Sequence, residues 1–162
     1  MKKYIFLFML FIAIDATAQN WTKLYDYVDE FAFGLAKVTK GDKAGFVNAK
    51  GDVIVPLIYD EAMTFREGKA TVRINNKWGY LDSTGKLIEE LKYDEAGCFR
   101  DSLAVVRLHN KFGYVNHSFK TVIPFQYAGA RGFSEGLAPV SNNNGLWGYI
   151  NKQGEIVFEY QY

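Results

Sequence analysis

Cysteine is almost absent. Cys98 stands alone in 162 residues, so no internal disulfide can form. It precedes Phe99, a core-type position, which makes it an expected buried or inert thiol. This economy suits a bacterial periplasmic protein better than a small disulfide-stapled one. Three prolines are too few for a proline-rich linker or a disordered tail. Histidine is nearly as scarce. His109 and His117 fall at expected turns, where a solvated side chain is a simpler reading than a metal ligand or general base. No His-x-x-x-His, Cys-x-x-Cys, Gly-x-Ser-x-Gly or phosphate-loop spacing occurs. No catalytic residue, metal ligand or cofactor site is therefore expected, and the chain reads as a non-enzyme.

Long apolar runs are also lacking, with one exception at the start. Lys2 and Lys3 precede the apolar stretch Tyr4 to Ile14, and Ala16-Thr17-Ala18 supplies the small-x-small pattern of a signal-peptidase site. About eleven apolar residues are too short for a membrane span, which takes about twenty. Residues 1–18 are expected to be a cleaved signal peptide and Gln19 the mature N-terminus. The mature chain would have no transmembrane span and would be periplasmic or secreted. Net charge is lacking as well. The 19 basic and 18 acidic side chains, less Lys2, Lys3 and Asp15, leave 17 of each sign. Nothing attracts phosphate backbones over long range, so nucleic acid is not an expected partner.

What the chain does have is aromatic residues, 17% in all, and they recur. Steps of 34 residues connect Tyr25, Tyr59, Tyr93 and Tyr127. Phe31, Phe65, Phe99 and Phe133 follow the same step, as do Ala36, Ala70, Ala104 and Ala138, and Val38, Val72, Val106 and Val140. A further series is Gly45, Gly79, Gly113 and, after one inserted residue, Gly148. Four tandem repeats follow: residues 25–58, 59–92, 93–126 and 127–161, after a lead-in of residues 19–24, with Tyr162 opening an incomplete fifth.

The local period decides the secondary structure. Lys69-Ala70-Thr71-Val72-Arg73-Ile74 alternates polar and apolar, which is a strand pattern. Asn75-Asn76-Lys77 and His109-Asn110-Lys111 supply turn chemistry. Trp78 to Asp82 returns as a second strand, and Val53-Ile54-Val55 and Leu87-Ile88 make a third. Tyr59 to Ala62 is a candidate fourth. The fold is expected to be all-β: four tandem repeats of antiparallel hairpins in an open twisted β-solenoid. The alternative is a small closed propeller-like array, whose blades usually take about 40–45 residues. Glycine inside a strand marks a close approach. Gly79 is expected to leave room for a neighbouring repeat's ring, with a packing role.

These residues carry a resemblance. Phe133-Ser134-Glu135-Gly136-Leu137-Ala138-Pro139-Val140, followed by Leu146-Trp147-Gly148-Tyr149-Ile150-Asn151, resembles the WG (KWG) repeat of bacterial proteins. The resemblance implies a repeat module, often exported, without an assigned activity. Its signature positions are Gly45 and Phe46; Trp78, Gly79 and Tyr80; Phe112, Gly113 and Tyr114; and Trp147, Gly148 and Tyr149. Departures are Ala44 and Phe112 for tryptophan, Phe119 for a turn glycine and Glu90 for proline.

Two charged series remain. Asp26, Asp60 and Asp94 could align into a cation-binding ridge, although aspartate bonding a local turn is the plainer reading. Lys43, Lys77 and Lys111 read as a solvated face. Among aromatics off the repeating positions, Trp21, Tyr27, Phe33, Phe125, Phe158, Tyr160 and Tyr162 could serve packing or partner recognition. The functional expectation is an exported module that binds an unidentified protein or envelope glycan. A self-assembling scaffold, joined as a homo-oligomer through an uncapped terminal repeat, is the alternative, and an envelope hydrolase a distant third.

Overall fold

The structure is a computed structural model and describes residues 20–161. The expected signal peptide, Gln19 and Tyr162 lie outside the described residues. A short 3-10 helix, Asn20–Leu24, leads into sixteen strands, and no α-helix occurs among the described residues. The first sheet comprises β1 (Tyr27–Ala32), β2 (Leu35–Lys40), β3 (Lys43–Asn48) and β4 (Val53–Tyr59). The second comprises β5 (Glu61–Ala62), β6 (Lys69–Ile74), β7 (Lys77–Asp82) and β8 (Leu87–Tyr93). β9 (Glu95–Ala96), β10 (Leu103–Leu108), β11 (Lys111–Asn116) and β12 (Thr121–Tyr127) form the third. β13 (Gly129–Ala130), β14 (Leu137–Ser141), β15 (Trp147–Asn151) and β16 (Ile156–Gln161) form the fourth. Every pairing is antiparallel between sequence neighbours.

Four-stranded meanders of this kind are propeller blades rather than solenoid hairpins. The open solenoid is therefore corrected in favour of the propeller-like alternative. The thirty-four-residue period suffices because one strand in most sheets is only two residues long. Tyr59 to Ala62 is divided between sheets: Tyr59 ends β4, whereas Glu61 and Ala62 begin the next sheet.

The turns are made as the sequence requires. Asn75 and Asn76, and likewise His109 and Asn110, take positive φ in two-residue hairpins, the conformation that matches strand twist. Asp82 accepts amide hydrogen bonds from Thr84 and Lys86, and Asn48, Asn116 and Asn151 do the same at their own turns.

Three apolar cores lie between successive sheets, each built from one unit's rings and the next unit's phenylalanine, alanine and valine. A fourth cluster covers the outer face of the first sheet, where Trp21 and Tyr25 pack on Ala36, Val38 and Val47. The lead-in thus covers part of that face through Trp21. Among the described residues no core cluster joins the first sheet to the fourth.

Candidate functional site

The signature residues form the joints between sheets. Phe46, Tyr80 and Tyr114 are fully buried. Each meets the next unit's phenylalanine edge-on: Phe46–Phe65 at 5.0 Å, Tyr80–Phe99 at 5.4 Å and Tyr114–Phe133 at 4.9 Å between centroids. The Tyr80 hydroxyl donates to the Gly97 carbonyl, and the Tyr114 hydroxyl to the Arg131 carbonyl, both at 2.8 Å. Burial holds both phenols above the usual tyrosine range. Trp78 is buried beneath the Arg73 guanidinium, and Phe112 lies beneath that of Arg107.

The glycine between the rings has a different reason from the one expected. A Cβ on Gly79 would sit 2.5 Å from the Glu89 carbonyl oxygen of its own sheet's fourth strand. Gly45, Gly113 and Gly148 meet Val55, Ile123 and Phe158 in the same way. The fourth strand bulges here, since Trp78 pairs with Tyr93 but Tyr80 with Glu89. Own backbone, not a neighbour's ring, occupies the space.

Beside the three ring joints lies an open cleft of about 370 Å³. Phe65, Phe99 and Phe133 form its floor, Phe33 its rim, and the exposed Arg66 and Arg100 its walls. The neighbouring acids are already engaged. Glu67 accepts the Ser102 amide hydrogen bond, and Asp101 accepts that of Gly136 at 2.7 Å. His117 also reaches Glu67 at 2.9 Å while stacking on Phe99 at 4.4 Å, so it joins two repeats rather than standing in solvent. Neither Arg66 nor Arg100 has an ion-pair partner among the described residues. Sequence reading missed both, although each directly follows the repeating phenylalanine.

The aspartate ridge serves the fold. Asp60 accepts the Asn75 amide and the Lys43 ammonium, at 2.9 and 2.7 Å. Asp94 pairs with Lys77 at 2.6 Å. The lysines hold both carboxyls below the usual range, with help from backbone amides. Asp26 accepts the Gly41 amide hydrogen bond. Lys43 and Lys77, read as a solvated face, therefore pin one unit to the hairpin anchor of the next, and Lys111 bonds Asn143. His109 is exposed at its turn. Cys98 is half-buried against Met63 and Thr71.

A sequence model for the WG containing repeat matches residues 45–78, 78–112, 112–145 and 147–162. The chain belongs to the WG repeat family. The matched units start within the third strand of each sheet, so the first three run from one sheet into the next. No curated protein matches the chain. Among solved structures, BamB from Moraxella catarrhalis superposes with a TM-score of 0.52 at 12% identity, covering 81% of this chain and 47% of that one. Hsv2 from Kluyveromyces marxianus gives 0.51 at 13%, covering 76% and 44%. The N-terminal domain of Nup159 gives 0.51 at 13%, covering 84% and 43%. This WG repeat chain spans about half the length of these three structures. They are propeller-like, and the likeness is one of fold alone.

Proposed function

We propose that this WG repeat chain is an exported, non-enzymatic module that binds a carboxylate-bearing protein segment or envelope glycan in the Arg66–Arg100 cleft. The observation that carries this reading is a pair of guanidiniums, one repeat apart and without ion-pair partners among the described residues, beside a phenylalanine floor. A guanidinium fork matches a carboxylate in bidentate fashion, and the exposed Phe33 ring at the rim offers a face to a sugar or apolar side chain. Glu67 and Asp101 line the same cleft but are held by amide donors and His117 rather than by the arginines, which leaves the guanidinium forks free to form bidentate bonds. His117, Asp60 and Asp94 are committed to joints between units, which favours binding over hydrolysis. Export rests on the N-terminal sequence pattern.

The test is capture from an envelope extract by immobilised protein, comparing wild type with an Arg66→Gln, Arg100→Gln double variant of unchanged circular dichroism. A saturable partner lost in the variant supports the cleft. Equal capture by both proteins, or none by either, refutes it.

A further inference from the structure

All three internal joints share the ring pair, and the second and third share a fuller set of contacts, which defines what each sheet offers its successor; the first has Phe46 and Phe33 where the others have a tyrosine and a turn acid. The earlier sheet contributes a buried ring, a hydroxyl aimed at a backbone carbonyl, and a turn carboxylate. The later sheet contributes a phenylalanine, that carbonyl, and a turn amide. Among the described residues the fourth sheet has the first set with nothing opposite it. Tyr149, equivalent to Tyr80 and Tyr114, is 44% exposed. Phe158 lies 5.8 Å from it and is exposed too, and the Glu135 carboxylate has no partner among the described residues. The first sheet has the complementary set. Phe31, equivalent to the buried Phe65, Phe99 and Phe133, is 49% exposed.

We infer that the fourth sheet of one copy docks on the first sheet of a second copy, head to tail, as a further joint of the same kind. The repeat spacing names the contacts. Tyr149 stacks on the second copy's Phe31, its hydroxyl donates to the carbonyl of Asp29, and Glu135 accepts the Gly34 amide. Asp29 stands where Gly97 and Arg131 stand in later units, and Gly34 where Ser102 and Gly136 stand.

The lead-in acts as a placeholder. Trp21 occupies the repeat position of Val55 and Ile123: it packs against Gly51 as Val55 packs against Gly85 and Ile123 against Gly154. Tyr25 likewise occupies the position of Tyr59. The pair stands in for a preceding unit's fourth strand but supplies no counterpart of Phe46 or Tyr80: the Trp21 ring meets Phe31 edge-on at 6.4 Å and leaves it half exposed. The 3-10 helix that carries Trp21 contains no fully buried residue and is anchored through the Trp21 ring, so an arriving fourth sheet displaces it by lifting that one ring. A heterologous contact of this type closes into a ring or extends, according to the curvature of the stack. The inference does not depend on the arginine cleft.

Sedimentation of the purified chain over a range of concentrations tests it. Wild type is expected to associate, whereas Tyr149→Glu and Phe31→Glu alone stay monomeric with unchanged circular dichroism. Mixing the two variants decides the geometry. One retains an intact head and the other an intact tail, so the mixture forms a species of twice the monomer mass. A wild type that is monomeric throughout, or a mixture that remains monomeric, overturns the inference. Trp21→Ala empties the placeholder and is expected to bring association on at lower concentration; weaker association refutes the displacement.

Discussion

Removing one hydroxyl from a ring joint measures how much the hydrogen bond contributes beyond packing. In Tyr80→Phe the ring stays, fully buried against Phe99, and the 2.8 Å bond to the Gly97 carbonyl goes. A stranded acceptor costs about 1–3 kcal/mol and the net bond about 0.5–1.5 kcal/mol. Gly97 is only half-buried, and Phe46 occupies the same position in the first joint without a hydroxyl, so water can take part of the load. The expected loss is about 1–2 kcal/mol. For a chain of this size each kcal/mol moves the thermal midpoint by about 2–4 °C, so the drop is about 2–8 °C. Tyr114→Phe should match it, because Arg131 accepts at the same distance. The reverse change, Phe46→Tyr, aims a hydroxyl at the Met63 carbonyl and should be neutral or stabilising by up to about 1 kcal/mol. Urea and thermal melts followed by circular dichroism, with an unchanged urea slope, provide the readout. A Tyr80→Phe variant as stable as wild type would refute the joint as drawn.

The remaining expectations follow from the same contacts. Gly79→Ala forces a Cβ to 2.5 Å from the Glu89 carbonyl and should lose about 1–3 kcal/mol in urea melts; Gly148→Ala should lose less, because its fourth strand, β16, has an exposed outer face. Alkali should unfold the protein: burial keeps Tyr80, Tyr93 and Tyr114 protonated above the ordinary value of 10.0, so stability is intact below about pH 10 and falls as pH rises through the folded values. Absorbance at the tyrosinate band should then show phenols titrating only with unfolding. In acid the sign reverses. Asp60 and Asp94 are lowered from 3.8, so their contribution is present above that value and disappears as pH falls through the folded values, which a pH series of melts will record. Phe119→Gly relieves a positive φ of 58° but removes a ring set 5.2 Å from Tyr80; the net loss should be about 1–2 kcal/mol by thermal melt.

The four-unit repeat, its strands and its turns were legible because each depends on local chemistry: alternation in Lys69–Ile74, paired asparagines at 75 and 76, small residues at fixed spacing. Sheet membership was not. Nothing local distinguishes a two-residue strand such as Glu61–Ala62 from a turn, so hairpins looked like the whole unit and a solenoid looked sufficient. The glycine was flagged correctly as a close approach, but the approaching atom belonged to a bulge whose register emerges only when the third and fourth strands pair. The lysine–aspartate links were hidden for a similar reason. Lys43 and Asp60 are seventeen residues apart, and only stacking brings them together. Arg66 and Arg100 carried a weak signal, two like charges one period apart, set beside the more regular phenylalanines.

Departures from the repeat are informative where they meet. In three units the turn glycine lies against an apolar residue of the preceding unit: Gly51 on Trp21, Gly85 on Val55 and Gly154 on Ile123. In the third unit the turn residue is Phe119, and the residue one unit before it, in the place of Val55, is Glu89. Glu89 turns instead to the Tyr93 hydroxyl and Lys92, so it offers no apolar cover at that corner. Phe119 supplies the missing bulk, packing on Tyr80 and Phe99, and accepts a left-handed backbone to do so. His117 in the same turn stacks on the other side of the corner, on Phe99. The two substitutions are thus one exchange: apolar volume moved from strand to turn. Restoring glycine alone should leave a hole beside Glu89, and restoring valine alone should crowd Phe119. Only the double change, Glu89→Val with Phe119→Gly, should recover the stability of the ordinary joint, and a thermal melt in which the two single losses simply add would show that the sites do not couple.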